Sequence, residues 1–180
     1  MIIYHGSYMK IEKPNINHSR KNVDFGQGFY TTPIKEQAIN WAIRYKKQGK
    51  QSIVSSYEFD ENKCKHCYNI LEFHAYTSEW LEYIVSCRRG DKDNKKKSGT
   101  LLSGNLPSKS DEITKLDDDV IIGGVANDKV FNTIELYFDG LIEQAEAIKR
   151  LQYERPNLQI CFRNQTAIEQ CVTFIGSEEI

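Results

Sequence analysis

No stretch of the 180 residues approaches the roughly 18 consecutive apolar residues that a membrane span needs. The opening MIIYHGSYMKIEK also lacks the apolar core that follows a basic start in an export signal. A soluble, cytoplasmic protein with no membrane partner is therefore expected. Charge of one sign is missing too: 24 Lys and Arg stand against 25 Asp and Glu, a net charge of -1. The total thus implies neither nucleic acid nor an acidic ligand, although a local basic patch is compatible with it. Neither a GxGxxG fingerprint nor a P-loop occurs, so a nucleotide site here needs another design. With no internal repeat or linker, the chain reads as one domain over residues 1–180.

Paired cysteines are scarce as well. Five is an odd count in a chain without an export signal, which argues for reduced thiols. Cys64 and Cys67 form one CxxC, with no second CxxC or HxxxH after it. Cys64, His66, Cys67 and His74 are residue types that bind zinc, but a structural site normally shows two paired halves. They are read as a loop with free thiols between strands, and no metal is expected.

What is there is a mixture of strand and helix patterns. Ile2 to Tyr4 is a short buried strand running into a turn at His5, Gly6 and Ser7, and a surface loop follows to Val23. Ala38, Trp41, Ala42 and Tyr45 recur at helical spacing, predicting a helix from about Ile34 to Gln48 closed by Gly49. SIVSSYEFD alternates as a strand, and a second strand is expected near Tyr68 to Phe73. Ser78 caps a helix to about Arg89, after which GDKDNKKKSGT reads as a solvated loop. VIIGGVAND is a strand with paired glycines, followed by a helix ending at Gly140 and another over about Leu141 to Tyr153. LQICF is a strand, and TAIEQCVTFI supplies a last helix and strand. Strands scattered among helices without a βαβ rhythm argue for an α+β domain.

The stretch DFGQGFYTT, Asp24 to Thr32, holds two glycines and an aromatic pair. Gly26 and Gly28 fit either a tight turn or a wall where backbone approaches a ligand. YHGS at Tyr4 to Ser7, FGQGFY at Phe25 to Tyr30, and Trp41 eleven residues after Tyr30 together resemble the ADP-ribosyltransferase superfamily, in its diphtheria-toxin and poly(ADP-ribose)-polymerase branch. The order YHGS, DFGQGFY, QAINWA, VIIGGVAND and LQICF is similar to a bacterial domain family of unknown function placed in that superfamily. The resemblance implies a split antiparallel sheet core flanked by helices, with NAD as co-substrate and no metal. It implies that Gly6 offers backbone hydrogen bonds to the nicotinamide carboxamide, that Ser7 adds its hydroxyl, and that His5 bonds the adenosine-side ribose. Gly28 would border the pocket, and Tyr30 and Trp41 would lie on the two faces of the nicotinamide ring.

The family chemistry breaks the nicotinamide–ribose bond through a transition state with oxocarbenium character, which a carboxylate stabilises as in glycoside hydrolysis. In this branch the carboxylate is a Glu on a late strand, whereas LQICF offers Gln159. A Gln accepts a hydrogen bond from the ribose 2′-hydroxyl but carries no charge, so transfer of single ADP-ribose units is expected over chain building. Asp128 is the candidate for a compensating acid, against its other reading as a helix N-cap, and Asp24 is a second candidate. The resemblance implies a macromolecular acceptor, protein or nucleic acid, and a toxin setting with a neutralising antitoxin protein as partner. Two other readings stay open: a catalytically silent module that binds NAD or ADP-ribose, and an NAD-dependent enzyme that removes an RNA 2′-phosphate.

Overall fold

The computed structural model describes residues 1–89, 118–124, 128–151 and 157–180, without the side chains of Arg89, Asp128, Lys129 and Phe131. In chain order the first half supplies β1 (Ile2–Ser7), a 3-10 turn (Ile16–His18), β2 (Phe29–Thr31), α1 (Lys35–Lys46), β3 (Ile53–Phe59), α2 (Glu61–Cys67), β4 (Ile70–Glu72) and α3 (Ser78–Arg89). The second half supplies β5 (Val120–Gly124), α4 (Asp128–Phe138), α5 (Gln144–Leu151), β6 (Leu158–Phe162), α6 (Gln165–Cys171) and β7 (Val172–Glu179). The fold is α+β, with two mostly antiparallel sheets. The alternating segment IVSSYEF makes β3 the centre of the first sheet, antiparallel to β1 on one side and β7 on the other. The second sheet has the order β2-β6-β5-β4, antiparallel except where β4 lies parallel to β5.

A single antiparallel bridge between Tyr4 and Thr32 joins the sheets. Because side chains alternate along a strand, each sheet has an inner and an outer face. The inner faces share one core: Ile3, Tyr57 and Phe59 of the first sheet meet Phe29, Ile160 and Phe162 of the second, closed by Cys64 of α2 and Ala167, Ile168 and Cys171 of α6. Edge-to-face rings at 5.5 Å (Phe29 and Tyr57) and 5.2 Å (Phe59 and Phe162) weld the layers. Outside the second sheet, α3, α4 and α5 bury Trp80, Leu81, Ile84, Ile134 and Leu151 against Phe25, Ile121 and Cys161. Outside the first, α1 lays Ala38 and Ala42 on Val54.

Three local expectations are corrected. His5, Gly6 and Ser7 do not turn but continue β1, pairing with Ser55, Val54 and Ile53. The CxxC segment is helical, because Asp60 accepts the N–H of Lys63 as an N-cap at 3.0 Å. Thr77, not Ser78, caps α3 through the N–H of Trp80 at 3.3 Å. Gly49 and Gly140, with φ of +72° and +71°, take the left-handed conformation expected after a helix. The loop before Val23 is strapped down: the Tyr57 hydroxyl donates to Ile11 O, and Gln165 binds both Ile16 N–H and Pro14 O. No helix among the described residues is long and apolar enough to cross a membrane.

Gly6 sets the helix-to-sheet distance. A Cβ there would collide with the carbonyl oxygen of Ala38 and lie 3.0 Å from the Ala42 nitrogen, both backbone atoms of α1 that cannot swing aside. Gly6→Ala is expected to cost about 3 kcal/mol, the upper range for overpacking. Gly176→Ala, where nothing lies within 4 Å, is the control and is expected to be neutral or slightly stabilising. Urea denaturation midpoints at unchanged slope check both.

Candidate functional site

In an antiparallel ladder one residue turns its N–H and C=O to one neighbour and the next turns both to the other side. Met1 exchanges bonds with Phe59, so Ile3, His5 and Ser7 also face β3. Tyr4 exchanges bonds of 2.8 and 2.9 Å with Thr32, so Tyr4 and Gly6 face β2. Pairing stops at that one bridge. The next partner of Gly6 in register would be Tyr30, but the Tyr30 carbonyl is occupied, accepting from Nδ1 of His5 at 2.6 Å. The His5 ring, resting on Phe29 with centroids 4.8 Å apart, is a wedge that parts the strands. The peptide N–H and C=O of Gly6, which face β2, therefore have no β2 partner among the described residues.

A carbonyl only accepts, so Nδ1 carries the proton and the neutral ring presents Nε2 as an acceptor. Burial pushes the His5 pKa below its ordinary value, and the bond to Tyr30 only partly offsets this.

Tyr30 is fixed by its own turn. Its hydroxyl donates to Gly26 O at 2.6 Å and accepts from Phe25 N–H at 2.9 Å. Gly26, at φ +73°, supplies the conformation that brings those groups to it. Gly28 has a steric reason instead: a Cβ there would sit 2.5 Å from Cys161 Sγ and 2.7 Å from Phe162 O, so β2 could not lie on β6. Burial raises the Tyr30 phenol well above its usual range and pushes the Cys161 thiol up to about 12. Neither group is an anion or nucleophile at neutral pH.

Gln159 and Asp24, 135 residues apart, meet in a buried cluster. Gln159 Nε2 donates to Asp24 Oδ2 at 3.1 Å, and Arg88 of α3 binds Asp24 Oδ1 through Nε at 3.1 Å and through Nη2. Asp24 and Gln159 are 8% and 7% exposed, so the carboxylate is compensated where water cannot do it. Since a carboxylate accepts only, the Gln159 amide points its nitrogen inward and its Oε1 away from Asp24. Tyr30 pairs with Cys161, two residues after Gln159, so ring and amide share the outer face of the second sheet.

The expected site residues are thus partly gathered. Gly6, Tyr30 and Gln159 lie on one side of the joined sheets, while His5 and Ser7 project to the inner side and His5 reaches Tyr30 only through its carbonyl. Trp41 is 39% exposed on α1, with the Arg44 guanidinium 4.5 Å over its ring, and no ring pair joins it to Tyr30 among the described residues. Asp128 begins α4, and its side chain lies outside the described residues, as do Val125 to Asn127 and the KDNKKK loop. Cys64 is buried while His66, Cys67 and His74 are exposed, and no cluster of three metal-ligating side chains occurs among the described residues. Arg88 is the residue that sequence reading missed. Its only signal was position, at the end of a helix whose apolar face packs under the glycine turn.

The lowered His5 pKa predicts a direction. Between 6.5 and the lowered value the unfolded chain binds a proton that the native protein refuses. Stability is whole above pH 6.5 and falls as the pH drops below it, and His5→Gln should flatten that slope. Urea midpoints measured between about pH 7.5 and 5 test it.

No curated protein and no solved structure matches this chain. A family model described as a protein of unknown function (DUF3990) matches residues 1–174, nearly the whole length, so the chain belongs to the DUF3990 family.

Proposed function

We propose that the protein is a mono-ADP-ribosyltransferase, which breaks the nicotinamide–ribose bond of NAD and passes ADP-ribose to a macromolecular acceptor. The observation that carries this reading is the peptide edge of Gly6, held open by the His5 wedge. A primary carboxamide needs a donor and an acceptor side by side, and one strand residue offers both. Tyr30, clamped by Gly26 and Phe25, is a rigid stacking platform beside that edge, and Trp41 on the helix packed over Gly6 supplies the second ring. His5 acts here through the Tyr30 carbonyl, which it keeps from pairing with Gly6. Two sheets split beyond one bridge fit the core of the ADP-ribosyltransferase superfamily.

In the bond-breaking step the electron pair leaves with nicotinamide and the ribose becomes cationic. Gln159 Oε1 accepts the 2′-hydroxyl, and Asp24, 3.1 Å from Nε2, polarises the amide so that this oxygen is more negative. The acceptor then attacks the ribose carbon and loses its proton to solvent water. A toxin role with a neutralising antitoxin protein belongs to the same proposal. A second reading has its own support: both Asp24 oxygens are engaged, by Arg88 and Gln159, which favours a silent module that binds NAD without cleaving it.

Nicotinamide release from NAD by the purified protein, with and without cell extract, separates the two, since binding without release favours the silent module. For the transferase, Gln159→Ala is expected to lower kcat about 100-fold with little change in KM. Trp41→Ala is expected to raise KM about three- to tenfold. Gln159→Glu alone sets two carboxylates against each other and should lower stability and turnover. Adding Asp24→Asn should reverse both losses, because the new amide donates to the introduced carboxylate and the site gains a charge facing the substrate. Progress curves and thermal midpoints of these variants check this.

A further inference from the structure

We propose that the acceptor is a single-stranded nucleic acid, docked along the exposed side of α1 and Tyr8; this names the substrate of the transferase reading above and rests on it. The near-zero total charge conceals an asymmetry. Residues 1–50 carry nine Lys and Arg against three Asp and Glu, a net +6, while residues 51–180 carry a net -7. All nine of those cations are exposed. Arg44, Lys47 and Lys50 have no carboxylate partner among the described residues, unlike Lys10 and Lys35, which pair with Glu12 and Glu178. Arg44, Lys47 and Lys50 follow one another over seven residues at the end of α1, and an unpaired cluster of this sign attracts a polyanion.

Aromatic rings stand among these cations. Tyr8 is 43% exposed, lies 5.4 Å from Tyr45 and has Lys50 Nζ 4.8 Å over its ring. Trp41, assigned above to nicotinamide and carrying Arg44 over its ring, marks where this surface meets the proposed NAD edge. Cations alone would suit an acidic peptide as well, but exposed rings interleaved with cations match the stacking surfaces that hold unpaired bases. A duplex keeps its bases stacked on one another and leaves such rings nothing to hold. The buried side of the same helix, Ala38 and Ala42, rests on Gly6, so a strand held here lies beside the proposed NAD edge.

The test is a binding measurement without NAD, so it does not depend on turnover. Fluorescence anisotropy of the full chain would be followed with a short labelled single strand of mixed sequence, DNA and RNA in separate arms, beside the matching duplex and a glutamate-rich peptide. Single strand of either sugar should bind tightest, with an affinity that falls with salt at a log–log slope of about -2 for three phosphate contacts. Tyr8→Ala should weaken it about tenfold. Arg44→Glu/Lys47→Glu/Lys50→Glu should abolish binding while thermal midpoints confirm folding. Duplex or peptide bound as tightly as single strand, binding untouched by these variants, or no binding at low salt would overturn the proposal. Single-strand binding without nicotinamide release would instead sink the transferase reading and leave the docking surface standing.

Discussion

One hydrogen bond, from His5 Nδ1 to the carbonyl of Tyr30, decides how the two sheets of this protein relate. Were that carbonyl free, β1 and β2 could continue past the Tyr4–Thr32 bridge, and seven strands would zip into one twisted sheet. Because a side chain satisfies it instead, the strands diverge without leaving a buried carbonyl unpaired. The inner faces then close on one another around Phe29, Tyr57, Phe59 and Phe162. The gap is therefore a product of the same packing that stabilises the fold.

Around that gap the parts are held by short-range and long-range devices. The Tyr30 clasp closes over four and five residues and is set by local geometry. The Asp24, Arg88 and Gln159 cluster instead ties the glycine turn to α3 and β6. An ion pair this buried contributes little net stability, but loss of one partner strands a charge. It specifies where the turn sits more than how firmly the chain folds.

Periodicity made the regular elements legible, since IVSSYEF and LQICF alternate or run apolar and α1 and α3 have clear faces. Other features resisted for identifiable reasons. His5-Gly6-Ser7 looks like a turn because glycine normally marks one, yet Gly6 lies in a strand to admit the backbone of α1. The ENKCKHC helix lacks an apolar stripe, and only its Asp60 cap betrayed it. The residues Gly6, Tyr30 and Gln159 were visible as candidates, but the meeting of Gln159 with Asp24 was not, because no local pattern encodes a contact across 135 residues. A total charge likewise averages away a field that depends on where the chain places its lysines.

The strand orders have a consequence for synthesis. The centre of the second sheet, β6, and an edge of the first, β7, both come from the last residues of the chain. As the polypeptide leaves the ribosome, β2 has no neighbour to its β6 side and Asp24 has no amide to bind until residues 158–162 have emerged. The polar cluster and the pairing of β2 are thus completed late, and a growing chain carries the pieces of the site without the site itself.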